Sequence, residues 1–206
     1  MSRAIYLVDD DHAVRDSLEA LLSLQPGFVV RGFDSGDAFL SEATTLDPGV
    51  LLLDLHMPGT NGLDVLRQLR DLAPGRFATI MMTGDGSITA AVQAMKTGAI
   101  DFLEKPYGAT LLLETIDEAF VQLLEEDLAA AHARAAQERI AALSPRERDV
   151  LAGLIEGRGN KVIAHQLEIS PRTVEIYRAN LMMRLGVRSL PEALRVAFAA
   201  GLIPAT

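Results

Sequence analysis

The stretch Val50-Leu51-Leu52-Leu53-Asp54 decides the fold: four apolar residues in a row, ended by one carboxylate. Three other runs share this form. Ala4-Ile5-Tyr6-Leu7-Val8 ends in Asp9-Asp10-Asp11, and Thr79-Ile80-Met81-Met82 ends in Thr83. Ala99-Ile100-Asp101-Phe102-Leu103 is followed closely by Lys105-Pro106. Read as parallel strands, the runs deliver their polar ends to one edge of one sheet. Open parallel sheets bind ligands there, outside the carboxyl ends of the strands.

Helical patterns separate the runs. Residues 13–24 place Val14, Leu18, Leu21 and Leu22 on one face, and residues 63–72 repeat the spacing with Leu63, Leu66, Leu69 and Arg70. Residues 90–96 are short and precede Gly98, suited to a helix end. Residues 111–124 form the longest pattern. Alternating strands and helices predict a parallel sheet with helices on both faces. Pro58-Gly59 and Asn61-Gly62 mark a turn after Asp54.

The chain has 206 residues, room for one or two domains, and 49% of them are hydrophobic. No apolar stretch reaches the roughly 18 residues of a membrane span. The start Met1-Ser2-Arg3-Ala4 lacks a signal peptide's apolar centre. No cysteine is present, which excludes disulfides and thiolate metal sites. A cytoplasmic protein without membrane contact is expected. The net charge of −9 hides an asymmetry. Residues 1–139 carry ten basic and twenty-two acidic side chains, a balance of −12, and residues 140–206 carry nine and six, a balance of +3. Two domains with different partners are implied.

The stretch from about 120 to 142 has no strand pattern. Glu125-Glu126-Asp127 and the alanine-rich residues 129–136 favour helix, with a weak stripe of Leu124, Leu128, Ala131 and Ala135. It reads as the last helix of the first domain running on into a helical linker. The remainder looks all-helical. Ser144-Pro145-Arg146-Glu147 is a capping box with proline at the first helical position. A short helix at 161–167, a tight turn at Glu168-Ile169-Ser170, a third helix from Pro171 to about Leu185 and a fourth from Ser189 to Ala200 follow.

The acidic edge suits phosphoryl chemistry. Mg²⁺ wants oxygen ligands and keeps several waters. Asp10 and Asp54 can supply two carboxylates, and Asp9 can act through water. A carboxylate can attack phosphorus and form an acyl phosphate. That transfer needs positioning and charge stabilisation above all. Lys105 offers positive charge to the phosphoryl oxygens, and Thr83 a hydroxyl that can turn toward them. Taken singly, each is also what a helix cap, a turn or a solvated loop looks like. Their order on four successive strands is far more specific.

In the C-terminal part, the third helix sorts by angle at roughly 100° per residue. Val174, Leu181 and Leu185 lie on one side with Tyr177 beside them; Arg172, Glu175, Ile176, Ala179 and Met183 lie opposite. A helix with its own core stripe after a short helix and a tight turn fits a helix-turn-helix, whose second helix enters the major groove. Ile176 and Ala179 suit thymine methyls, and Glu175 suits cytosine N4. Lys161, Thr173 and Arg184 suit phosphates, which position without specifying. Lys161, Arg172, Arg178, Arg184 and Arg188 are a modest basic set. Few phosphates are neutralised per chain, so a dimer on two half-sites is expected.

Residues 3–122 resemble the receiver domains of two-component response regulators. The motifs are Val8-Asp9-Asp10-Asp11, Asp54-x-x-Met57-Pro58-Gly59-x-x-Gly62, Met82-Thr83-Gly84 and Lys105-Pro106. The resemblance implies a five-stranded, doubly wound, flavodoxin-like α/β fold. It implies Asp54 as phosphoacceptor, Mg²⁺ held by Asp10, Asp54 and the His56 backbone carbonyl, and Asp9 in an outer role. It also implies Thr83 and Phe102 as switch residues and a cis bond before Pro106. Residues 139–204 resemble the LuxR-type helix-turn-helix, through Leu143-Ser144-x-Arg146-Glu147, Asn160-Lys161-x-Ile163-Ala164 and Ile169-Ser170-x-x-Thr173-Val174. Tyr177 stands where that family often has histidine.

Together the two resemble the NarL/FixJ class, closest to its FixJ branch. The implied organisation is a receiver at 1–122, a helical linker at 123–138 and an all-α, four-helix DNA-binding domain at 139–206. The implied function is a transcription regulator and not a dedicated enzyme. A sensor histidine kinase phosphorylates it and it dimerises on double-stranded DNA, with RNA polymerase a further possible partner. The fourth helix, through Leu190, Leu194, Ala197 and Phe198, reads as a dimerisation helix or as core. Two rivals stand beside this reading. One is a DNA-binding dimer indifferent to phosphorylation. The other is an aspartyl-phosphate phosphatase, disfavoured because Leu55-His56-Met57 follows Asp54 where such enzymes often carry Asp-x-Asp-x-Thr.

Overall fold

The computed structural model describes residues 3–84 and 88–203, with the backbone only at 88–90. Two compact units divide at Asp127 and Leu128. The first is built from β1 (Arg3–Val8), α1 (His12–Ser23), β2 (Phe28–Phe33), α2 (Gly36–Glu42) and β3 (Gly49–Asp54). It continues through α3 (Gly62–Leu72), β4 (Phe77–Thr83), α4 (Ile88–Thr97), β5 (Asp101–Glu104) and the part of α5 (Ala109–Ala141) up to Asp127. The strands form one parallel sheet in the order β2-β1-β3-β4-β5.

Period-two alternation explains why the apolar runs are uninterrupted. Successive strand residues point to opposite faces. Ile5, Leu7, Val50, Leu52, Ile80 and Met82 pack on one side with Leu18 and Leu22 of α1 and Leu112 and Ile116 of α5. Tyr6, Val8, Leu51, Leu53 and Met81 pack on the other with Phe39 of α2 and Val65, Leu66 and Leu69 of α3. Helices cover both faces, so the strand interiors are almost wholly apolar, with Thr79 of β4 a buried exception.

The topology also makes the site. From β1 the chain crosses to β2 on one flank and returns to β3 on the other. A crevice opens where the strand order reverses, beyond the carboxyl ends of β1 and β3. The register sets Val8 beside Leu53, Asp54 beside Met82, and Thr83 beside Glu104. Close approach is secured by Gly62, where a Cβ would lie 2.4 Å from the Asp54 carbonyl oxygen. Only glycine lets α3 begin that near the end of β3.

Two elements were not among the quoted runs: β2, at the sheet edge with Val29 exposed, and α2. The last helix is longer than the pattern at 111–124 and takes in the stretch 123–138 without a break.

The second unit holds α6 (Pro145–Ile155), α7 (Asn160–Leu167), α8 (Pro171–Leu185) and α9 (Leu190–Ala199). The capping box forms in full: Ser144 accepts from the Glu147 N–H, and the Glu147 carboxylate accepts from the Ser144 N–H. Glu168 sits in the left-handed region at φ 56° and turns the chain between α7 and α8. Gly186, also left-handed, closes α8. Val150, Leu151, Leu154, Ile163, Val174, Leu181 and Leu185 form the core. The stripe on α9 divides: Ala197 is fully buried, whereas Phe198 keeps 47% of its surface exposed. No helix among the described residues is long and apolar enough to cross a membrane.

Candidate functional site

Asp9, Asp10, Asp54, His56 and Lys105, together with Asp11, line one open cleft of about 650 Å³ at the carboxyl edge of the sheet. Asp54 is 6% exposed. Its Oδ2 accepts from the His56 N–H at 2.7 Å, and its Oδ1 from Lys105 Nζ at 2.6 Å. Lys105 also donates to Asp9 Oδ2 at 2.7 Å. The other Asp9 oxygen accepts from the Asp11 N–H at 2.9 Å. The lysine is placed by its backbone, whose N–H donates to the Thr83 carbonyl, and the peptide bond to Pro106 is cis.

Thr83 is fully buried, with its Oγ1 3.4 Å from His56 Nδ1. Asp10 is exposed and makes no hydrogen bond or ion pair among the described residues. Asp11 is the N-cap of α1, accepting from the Ala13 N–H at 2.8 Å. Phe102 is half-buried, packed against the α2–α3 face of the sheet, and its N–H is taken by the Asp101 carboxylate at 2.7 Å.

Three carboxylates, from Asp9, Asp10 and Asp54, therefore face one ammonium. Burial pushes the Asp54 carboxyl above its ordinary value; Asp9 adds to that, while Lys105 and the His56 N–H oppose it. Burial alone would lower Lys105, but the hydrogen bonds and charges of Asp54 and Asp9 outweigh it and hold the ammonium above its usual value. The cluster thus sets three carboxyl groups against one ammonium. That donor set fits a hard divalent cation. The oxygens are all carboxylate or carbonyl, and Asp10 is free to bind. Among the described residues, no three acidic or histidine groups converge into a cage.

Sequence reasoning passed over two supports. Arg15, in the first turns of α1, donates from Nη1 to the Asp9 carbonyl at 2.7 Å and fixes the β1–α1 turn. Tyr107 donates to Met82 Sδ at 3.1 Å behind Lys105. An arginine six residues past Asp9 and a tyrosine after Lys105-Pro106 were the available signals.

In the second unit, Arg172, Glu175, Ile176 and Ala179 line one shallow depression of about 560 Å³ on α8. Lys161 is exposed at the start of α7. The other two residues expected at phosphates have partners inside the unit. Thr173 Oγ1 shares a hydrogen bond with Ser170 Oγ at 2.8 Å. Arg184 Nε faces Glu147 Oε1 at 3.2 Å, and its Nη1 donates to the Ala142 carbonyl at 3.3 Å.

Glu147 is only 3% exposed. Burial would raise its carboxyl, but the Ser144 N–H and hydroxyl, with Arg184 beside them, hold it below its ordinary value. A carboxyl lowered in the folded state adds stability above its unfolded value, roughly pH 4.3, and loses it as pH falls through the folded value. Glu147→Gln is therefore expected to destabilise the second unit by about 1 kcal/mol at pH 7. The deficit should close as the pH falls below about 4. Urea unfolding at both pH values checks this, and an equal deficit at the two would contradict it.

Comparison with known proteins settles the family. Residues 5–117 match the response regulator receiver domain, and residues 141–197 match the bacterial regulatory proteins of the luxR family. The chain is a response regulator. Over 199 residues it is 44% identical to the transcriptional regulatory protein FixJ of Bradyrhizobium diazoefficiens, covering 97% of this chain and 96% of the relative. The structure of full-length FixJ from B. japonicum is 43% identical and covers 98% of this chain and 100% of its own, with a TM-score of 0.60. The response regulator StyR is 35% identical, with a TM-score of 0.78 over 96% of this chain and 99% of its own. The α/β receiver fold and the helical LuxR-type domain expected from the sequence are both borne out. The chain is a FixJ-like regulator of transcription in a two-component system, and its relatives are regulators and not dedicated enzymes.

Proposed function

We propose that Asp54 accepts a phosphoryl group from a sensor histidine kinase, and that this promotes dimerisation and binding to two DNA half-sites. One observation carries the reading. The Asp54 carboxylate stands at the carboxyl end of β3 with both oxygens held, one by the His56 N–H and one by Lys105. A carboxylate oxygen attacks phosphorus, the bond from phosphorus to the kinase imidazole breaks, and that nitrogen leaves with the bonding pair. The product is an acyl phosphate. Asp10, Asp54 and the His56 carbonyl, with Asp9 in an outer role, would hold Mg²⁺, which when bound would neutralise charge on the incoming oxygens.

This chain's own groups do the rest. Lys105 shifts its ammonium from the carboxylate to the new phosphoryl oxygens. Thr83 turns its hydroxyl from His56 toward them, and Phe102 repacks into the space vacated. The receiver (1–122) passes this change through the linker (123–138) to the DNA-binding domain (139–206). All of this takes place in the cytoplasm.

The test is intact mass after incubation with acetyl phosphate and Mg²⁺. One phosphoryl group per chain, removed by hydroxylamine and absent when Mg²⁺ is chelated, is expected. A label stable to hydroxylamine would contradict the assignment. Turnover of phosphate esters would instead indicate a phosphatase.

A further inference from the structure

The structure sorts the cations near α8. Arg178 is spent inside the unit, its Nη1 donating to Asn160 Oδ1 at 2.5 Å and tying α8 to the first turn of α7. Arg184 is held by Glu147 and the Ala142 carbonyl. Arg172, the second residue of α8, is exposed and makes no hydrogen bond or ion pair among the described residues. It shares its depression with Glu175, Ile176 and Ala179, at positions i, i+3, i+4 and i+7 of one helical face. Ile176 is 54% exposed, on the side away from the core residues Val174, Leu181 and Leu185. A β-branched apolar side chain beside an alanine methyl, both open to solvent, has no role in holding this unit together.

The chemistry of this face is narrow. In helix-turn-helix docking, residues near the start of the second helix meet base edges in the major groove. Arg172 is the one group on the face that can donate to guanine O6 and N7. Ile176 and Ala179 can neither donate nor accept there, and the base feature that suits them is the thymine methyl. We propose that this regulator specifies each half-site by one guanine read through Arg172 and by thymine methyl groups read through Ile176 and Ala179. Discrimination within the half-site thus combines one bidentate polar contact with apolar ones. The proposal rests on the reading that α8 enters the major groove of DNA. Glu175, between the two kinds of contact, accepts from cytosine N4 and repels phosphate, which keeps the face on the bases.

The experiment uses the full chain with acetyl phosphate and Mg²⁺. A duplex is first selected from a random pool. Each thymine is then replaced by deoxyuridine and each guanine by 7-deazaguanine. At one or more thymines per half-site, loss of the methyl should weaken binding about fourfold, the worth of one buried methyl group. At one such thymine, the one read through Ile176, that penalty should vanish in Ile176→Ala and largely persist in Ile176→Val. At one guanine, loss of N7 should weaken binding about tenfold in the natural chain and not in Arg172→Ala. An enriched duplex whose affinity is indifferent to every uracil substitution overturns the methyl reading and leaves DNA binding intact. Uracil penalties that are unchanged in Ile176→Ala at every thymine overturn it equally. A pool in which no sequence is enriched overturns this proposal and the DNA-binding reading together.

Discussion

Asp54→Asn is expected to abolish acyl-phosphate formation, with incorporation falling at least about a thousandfold, because the proposed nucleophile itself is removed. The substitution preserves shape. An asparagine oxygen can still accept from Lys105 or from the His56 N–H, but not from both as the two carboxylate oxygens now do at 2.6 and 2.7 Å. One buried hydrogen bond is therefore lost, worth about 1 to 2 kcal/mol. Loss of a buried negative charge beside Asp9 offsets part of that. The folded chain should survive with a modest change in melting temperature. Intact mass and thermal unfolding of the same sample separate the two effects. Undiminished phosphorylation of Asp54→Asn would move the acceptor elsewhere in the acidic cluster.

The second large effect is on stability. Lys105→Met keeps the apolar stem and removes the ammonium that pairs Asp9 and Asp54. Their side chains are 2% and 8% exposed, so both carboxylates become buried and unpaired. Removing one partner of a buried ion pair costs about 3 to 5 kcal/mol; the 24% exposure of the lysine side chain places this case at the lower end. Mg²⁺ should recover part of the loss, because on the proposed reading it would neutralise the same carboxylates. The natural chain should gain less, since its ammonium already occupies the cluster. Urea unfolding in EDTA and in millimolar Mg²⁺ gives both numbers for both chains. Equal stability of the two chains in EDTA would show that the ion pair contributes nothing.

Legibility in the sequence followed burial. β1, β3 and β4 were readable because both faces of each are covered, which forces runs such as Val50-Leu51-Leu52-Leu53. β2 was implied only by the family resemblance. It is an edge strand, and in Phe28–Phe33 only Phe33 is buried while Val29 and Arg31 face solvent. An edge strand with a solvated face carries too weak an apolar signal to stand out. The expected acidic cluster was legible because its members close successive strands, and parallel register gathers such ends. The supports were less so. Arg15 acts through a backbone carbonyl, and Asp11 as a helix cap, and neither role marks the sequence beyond residue type. Angles sorted α8 well, since Val174, Leu181 and Leu185 are all fully buried. They did not show that Arg178 and Arg184 are engaged within the unit, because that depends on what α7 and α6 bring near them. The stripe on α9 joined Phe198 to Ala197, and packing separated them.

Charge makes the coupling of the two units consequential. The acidic first part, at −12, repels DNA, and the second, at +3, attracts it weakly. A single chain with so few free cations binds DNA poorly, and two chains on adjacent half-sites bind far better. On the proposed function, phosphorylation that favours a dimer would thus be amplified in DNA affinity.

The most direct test is an equilibrium titration of a selected duplex with the full chain, with and without acetyl phosphate and Mg²⁺, alongside Asp54→Asn. The affinity of the natural chain should rise tenfold or more on phosphorylation, while the variant stays at its unphosphorylated value in both conditions. Equal affinities for the phosphorylated and unphosphorylated natural chain would contradict the account and leave a DNA-binding protein whose receiver site does not control it.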